Sequence, residues 1–426
     1  MKKLLILAGA EAHCKVLKVA QKMDDIYTIV TDCLPIEDSP AKQMADASLM
    51  YDIKDVDSIV EYCKKNHVDG VLNYCIDPGQ RPYQQICERL GLPCFGTKEQ
   101  FMTFTDKNLF KQACVENGID IIPTYTEDDL LNDKITYPII VKPVDSRGSR
   151  GVIRCSNKNE AVGALAIAKK MSSNGKVVVE KYMGDKPDFT MTYIFVDGKP
   201  NLVRTADRYL GEATAGLDRQ CMCSVAPSIH TEMYLKNVHS RVVNMAKNLG
   251  IKNTPIFMQG FVDGDTVRFY DPGIRFPGAN YDELFTKATG VDHIQMIINF
   301  ALTGKMQPYD EDMMASSYKL NGFCSMQLCV DARAGKIAVY DGFDEVAKLT
   351  ETVLVAKKAK VGDVISESGD IKQRIAEIVL LLENDTEIIQ STIRKVQSML
   401  KVKDEKGENM IVSPFDVSAV PKRPFL

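Results

Sequence analysis

Short apolar runs alternate with amphipathic stretches through the first hundred residues. Residues 4–7, 27–30 and 70–72 read as buried strands, and residues 12–22 and 55–65 between them carry the three-to-four-residue spacing of helices. This alternation predicts βαβ units and a small parallel sheet. Gly9 after the first strand and Asp32 after the second stand where a dinucleotide fingerprint would, but Ala10 and Glu11 follow Gly9 and no GxGxxG is present. The pattern argues against a nicotinamide site.

Beyond Thr103 the texture changes. Residues 105–118 read as a helix with Thr105 or Asp106 at its start, Leu109, Phe110, Ala113 and Cys114 on its apolar face, and Gly118 as its stop. Residues 137–143 form an apolar strand carrying one lysine, Lys142, and lead into the loop 145–151, rich in Gly, Ser and Arg. A helix over 159–171 precedes another strand, 176–183. Two hairpins follow, at Asp197-Gly198 and around Asp263-Gly264-Asp265. With the second loop at 264–266, Asp263 pairs with Val267 and Gln259 lies opposite Asp271 on one face. The last stretch predicts strands over 324–330 and 336–340, then two helices, 370–383 and 385–400. Ile388, Ile389, Ile393, Val396 and Leu400 make a stripe on the latter that reads as core packing.

Size and charge narrow the class. A chain of 426 residues is long enough for two or three domains. Lys and Arg total 53 against 57 Asp and Glu, with the signs interspersed, which excludes a protein that tracks nucleic-acid phosphates. No apolar run reaches the roughly 18 residues of a membrane span. The apolar stretch near Met1 is short and meets Glu11 and His13, so it is a first strand and not a secretion signal. The 12 cysteines are scattered singly apart from Cys221-x-Cys223, which points to reduced thiols in a cytoplasmic protein. The five histidines lack metal-ligand spacing and read as surface or core residues.

Candidate chemistry rests on three features in order. Lys107 starts a helix, Lys142 sits in an apolar strand before a Gly-rich loop, and Glu180-Lys181-Tyr182-Met183 ends a strand. An ammonium in an apolar strand is costly unless it meets an anion, and a phosphate suits it. Backbone N–H groups of the loop can turn to the same phosphates, because Gly148 and Gly151 admit close approach. Each feature alone also has a structural reading, as a snorkelling lysine, a solvated turn or a surface carboxylate.

Together the motifs resemble the ATP-grasp superfamily over residues 105–118, 137–152, 177–190 and 259–278, and the segments 335–345 and 360–363 resemble the C-terminal parts of biotin carboxylase-like proteins and L-amino acid ligases. The resemblance implies an α/β fold: a Rossmann-like pre-ATP-grasp domain over 1–102, the ATP-grasp domain over 103–304 with a lid over about 120–183, and an α+β segment over 305–426 that completes it. It implies that Lys107 and Lys142 hold the α- and β-phosphates and that Arg147, Gly148, Ser149 and Gly151 cover them. Glu180 would accept from the adenine amino group through its carbonyl, beside Lys181, and the Met183 N–H would donate to the ring. Asp188 falls at a ribose-side contact. Asp271 and Gln259 would hold magnesium or manganese, and Arg275 would join Lys142 in catalysis.

At the distal site the chain departs from the pattern. Many members read Glu, about twelve residues, then Glu-x-Asn-x-Arg; here the positions are Gln259, Asp271, Gly273 and Arg275. The resemblance implies an ATP-dependent ligase joining a small carboxylate to an amine, without nucleic acid or membrane partners and as a homodimer. The altered metal positions raise the alternative of an ATP-binding sensor or scaffold. A bicarbonate-using carboxylase is a third option. Arg204, Arg208 and Arg219 are candidates for the substrate cleft, although solvated surface is the expected place for any one of them.

Overall fold

The structure, a computed structural model, describes residues 1–132, 134–144, 151–184, 186–211, 220–278, 281–366, 371–412 and 414–423. The first unit is a parallel sheet of β1 (Lys2–Leu7), β2 (Ile26–Thr31), β3 (Ala47–Leu49) and β4 (Gly70–Leu72), in the order β3-β2-β1-β4. Leu4 through Leu7 are fully buried, as strands covered on both faces must be. Strand order reverses between β1 and β4, so a crevice opens at their C-terminal ends. Asp77 comes just past β4, at the start of the short helical turn Asp77–Gly79. Asp32 is held by Lys42 at 2.7 Å and by the Ser39 hydroxyl at 2.7 Å, which accounts for its carboxylate without a nucleotide.

The lid is an antiparallel sheet of β5 (Thr124–Tyr125), β6 (Ile139–Pro143), β7 (Ile153–Cys155) and β8 (Val177–Lys181), in the order β5-β8-β6-β7. The helix Lys158–Met171 closes its back: Ala161, Ala164, Leu165 and Ala168 pack on Ile139, Val141 and Val179.

The main sheet is built from β9 (Asp188–Val196), β10 (Lys199–Leu210), β11 (Cys221–Ala226), β12 (Thr254–Asp263), β13 (Thr266–Gly273) and β14 (Phe323–Asp331). After these come β15 (Gly335–Asp341), β16 (Thr352–Lys357), β17 (Val364–Ile365), β18 (Arg374–Glu383) and β19 (Lys401–Asp404). Eight strands form one antiparallel sheet, β13-β12-β9-β10-β11-β14-β18-β16, and β17-β15-β19 form a small one beside it. Residue 304 therefore lies between two stretches that share a sheet.

One expected element is corrected. Residues 374–383 form β18 between β14 and β16, where a helix was expected. Arg374 through Leu380 are all buried, so the segment has no polar face and its period does not separate strand from helix. The helix Thr386–Met399 follows as expected, capped by the Asp385 side chain, with Ile389, Ile393 and Val396 in the core. Among the described residues no helix is long and apolar enough to cross a membrane, and no group of three or more His, Cys, Asp or Glu could hold a metal. The cysteines are unpaired.

Candidate functional site

A cavity of about 330 Å³ lies between the lid and the main sheet, and it gathers residues that are far apart in the chain: Lys107, Lys142, Glu180, Lys181, Met183, Asp188, Gln259 and Asp271 all line it. Lys107 is delivered by the first position of the helix Lys107–Glu116, where the Asp106 side chain accepts from the N–H groups of Asn108 and Leu109. Burial of Phe110, Ala113 and Cys114 fixes which face of that helix turns inward. In the lid, Ile140 pairs with Glu180 and Lys142 with Val178, so Lys142 and Glu180 share the cavity face of the sheet.

The charges are tightly arranged. Glu180 receives Lys142 Nζ on one oxygen at 2.5 Å and Lys111 Nζ on the other. Burial favours its protonation, but Lys142 and Lys111 outweigh burial and hold the carboxyl at about 2. Burial lowers the Lys107 and Lys111 ammoniums, with nearby carboxylates opposing.

Backbone accounting at the end of β8 separates Glu180 from Lys181. Tyr182 N–H donates to the Pro138 carbonyl, and the alternation of ladder bonds then commits the Glu180 carbonyl to Ile140. Lys181 N–H donates to the Pro123 carbonyl, but Pro123 has no N–H to return, so the ladder leaves the Lys181 carbonyl unclaimed. The ladder thus commits the Glu180 carbonyl, the acceptor that the resemblance implies, and leaves that of Lys181. Arg147, Gly148 and Ser149 lie outside the described residues. Gly151 has φ of 69° and packs against Pro143 and Met171 at the back of the lid.

Asp188 accepts from Arg208 Nη1 at 2.5 Å and lies 3.2 Å from the Tyr270 hydroxyl. Burial pushes its carboxyl up to about 6, against the pull of Arg208. Two arginines expected at the surface are buried instead or line this site: Arg208 lines the cavity, and Arg204 is covered, donating to Ser224 Oγ at 3.0 Å with its guanidinium 5.1 Å from the Tyr281 ring. Arg219 lies outside the described residues.

Gln259 does pair with Asp271, but by a different route from the three-residue loop read in the sequence. The turn is tighter, with Asp263 opposite Thr266, and a bulge between Gln259 and Gly260 inserts Tyr270 and restores the register. The bulge also lets two consecutive residues, Tyr270 and Asp271, line the same cavity. Of the carboxylates there, Glu180 and Asp188 are taken by internal cations, whereas Asp271 has no ion pair among the described residues. Burial raises its carboxyl, with Lys107 opposing.

Arg275 is placed beside the cavity and not in its lining. Its Nε donates to Asp77 at 2.6 Å, its Nη1 to the Phe276 carbonyl at 2.7 Å, and its guanidinium lies 4.6 Å from the Phe257 ring centroid. The same ring fills the space beside Gly273, where an added Cβ would come within 2.3 Å of it. Gly273 and the stacked arginine are therefore parts of one packing solution.

Sequence reasoning passed over Lys111, Tyr270 and Arg374. Lys111 stands four residues after Lys107, which is the signal that two lysines share one helix face. Arg374 lines the cavity, paired with Asp331 at 3.1 Å and donating to the Cys221 carbonyl at 2.7 Å. It escaped notice because β18 was read as a helix.

Residues 103–307 match the family model for the carbamoyl-phosphate synthase L chain, ATP binding domain. The 2-oxoglutarate carboxylase small subunit of Hydrogenobacter thermophilus is 22% identical over 345 residues, covering 75% of this chain and 70% of that protein. The L-amino acid ligase from Bacillus licheniformis overlays with a TM-score of 0.78 at 18% identity, covering 95% of this chain and 99% of that one. Phosphoribosylglycinamide synthetase from Anaerococcus prevotii overlays with a TM-score of 0.71 at 16% identity, covering 95% and 100%. Residues 103–307 thus resemble the ATP-binding domain of the carbamoyl-phosphate synthase L chain, and the chain as a whole has the fold of these two solved structures.

Proposed function

We propose that this chain is an ATP-dependent ligase that joins a small-molecule carboxylate to an amine through an acyl phosphate, releasing ADP and phosphate. One observation carries the reading: Lys107, Lys142 and Asp271, from a helix, the lid and the main sheet, converge on a single cavity that Lys181 and Met183 also line. The unclaimed Lys181 carbonyl accepts from the adenine amino group and the Met183 N–H donates to the ring. Lys107 and Lys142 neutralise the phosphates. Asp271, with the Gln259 amide oxygen, fits magnesium or manganese as a hard-oxygen donor set, and the metal would supply charge neutralisation between phosphates. A carboxylate oxygen attacks the γ-phosphorus as ADP leaves; the amine nitrogen then attacks the acyl carbon, phosphate leaves and the nitrogen loses its proton. Arg275 reaches the acyl phosphate once Asp77 releases it. We place the reaction in the cytoplasm, in a homodimer, with functional segments 1–102, 103–304 and 305–426.

With the acid labelled by oxygen-18 in its carboxylate, one label is expected in inorganic phosphate and the nucleotide product is ADP. Unlabelled phosphate, or AMP, would sink the acyl-phosphate route. Arg275→Ala is expected to depress turnover far more than ATP binding, a split read from kcat against nucleotide affinity.

A second reading, a nucleotide-binding sensor without ligation, is favoured by Gln259 and Gly273 standing where a carboxylate and an amide occur in many relatives. Gln259→Glu separates the two. It supplies a second carboxylate opposite Asp271, so MgATP should bind more tightly in calorimetry. An unchanged MgATP affinity would show that this position does not face the metal. ATP binding without turnover across broad acid and amine pools would favour the sensor.

A further inference from the structure

Lys111 touches the site from behind. It does not line the cavity, yet its ammonium meets one oxygen of Glu180 and donates to Thr124 Oγ1 at 2.7 Å, while Lys142 holds the other oxygen of Glu180. All three charged side chains are buried, with Lys111 and Lys142 6% and Glu180 2% exposed. We propose that Lys111 is a positioning residue that neutralises Glu180 and so leaves the charge of Lys142 free for a nucleotide phosphate; this rests on the nucleotide-site reading above.

The argument is one of counter-charge. Glu180 with Lys142 alone is a neutral buried pair, and a phosphate could recruit Lys142 only by stranding a carboxylate away from water. Adding Lys111 makes the group a net cation. Lys142 can then turn to the phosphate while Glu180 keeps a partner. Glu180 in turn keeps two buried ammoniums from facing each other without an anion before the ligand arrives. Lys107 and Asp271 also face this cavity with opposite charges, as do Arg208 and Asp188, so within the cluster around Glu180 the excess positive charge is that of Lys111.

Lys111→Met is expected to weaken ADP and ATP binding by about tenfold in calorimetry, and Lys111→Arg to keep wild-type affinity. The decisive variant adds Glu180→Gln to Lys111→Met. A neutral amide no longer claims Lys142, so affinity should return toward wild type, which loss of packing alone would not allow. A double variant as weak as the single one, or a single variant without effect, overturns the proposal. A second readout needs no nucleotide: Lys142 in the Lys111→Met protein should react more slowly with acetic anhydride, followed by peptide mass mapping, because its ammonium is held more tightly by Glu180. Unchanged reactivity also overturns the proposal. Slowed reactivity in a protein that binds no nucleotide would instead uphold the coupling and sink the nucleotide-site reading.

Discussion

Asp271→Asn should lower ligase turnover by about 10²- to 10³-fold, the usual cost of removing one group that stabilises transition-state charge. The cavity contains other carboxylates, but Lys111 and Lys142 hold Glu180, and Arg208 holds Asp188. Asp271 is therefore the acidic side chain that would hold a divalent cation there, and an amide keeps its shape while losing its charge. Because Tyr270 is the bulged residue, the substitution leaves the ladder between β12 and β13 untouched. Steady-state ADP release at saturating magnesium reads the effect, and nucleotide affinity measured without divalent metal should stay near wild type. Turnover within a factor of two or three of wild type would place the metal elsewhere.

Lys142→Ala is expected to weaken ATP by about ten- to hundredfold, the equivalent of roughly 1.5–3 kcal/mol for a charge-assisted contact. The lid should survive the change, since β6 keeps Ile139 and Val141 against the helix behind it and Glu180 retains Lys111. Calorimetry with the non-turnover state, alongside a thermal melt, separates lost binding from lost folding. Unchanged affinity would remove Lys142 from the phosphate site.

The parts of the fold legible in the sequence were those whose surroundings marked them. The parallel sheet near the start showed as short apolar runs between amphipathic helices, and the helix Lys107–Glu116 as an apolar face with a cap. β18 did not, because a strand buried on both faces has no period to show. The cavity residues were legible as charges in costly places: Lys142 in one strand, Asp271 in another. What the pattern could not supply was pairing. Nothing in the order of residues told that Glu180 would sit between two lysines, that Asp77 would take Arg275 from another element, or that a bulge would turn Tyr270 toward Asp188. The Pro123 effect on Lys181 was equally hidden, since it depends on which strand lies alongside.

The main sheet imposes an order on synthesis. β9 through β13 carry much of the cavity lining, yet β11 waits for β14, and β14 for β18, both made after residue 322. A nascent chain that has released β9 through β13 still presents the outer edge of Cys221–Ala226, with its N–H and C=O groups unpaired, until those strands emerge. Long-range pairing of this kind closes late and leaves an aggregation-prone edge in the meantime. Arg374 therefore joins the cavity lining only after β18 has been made.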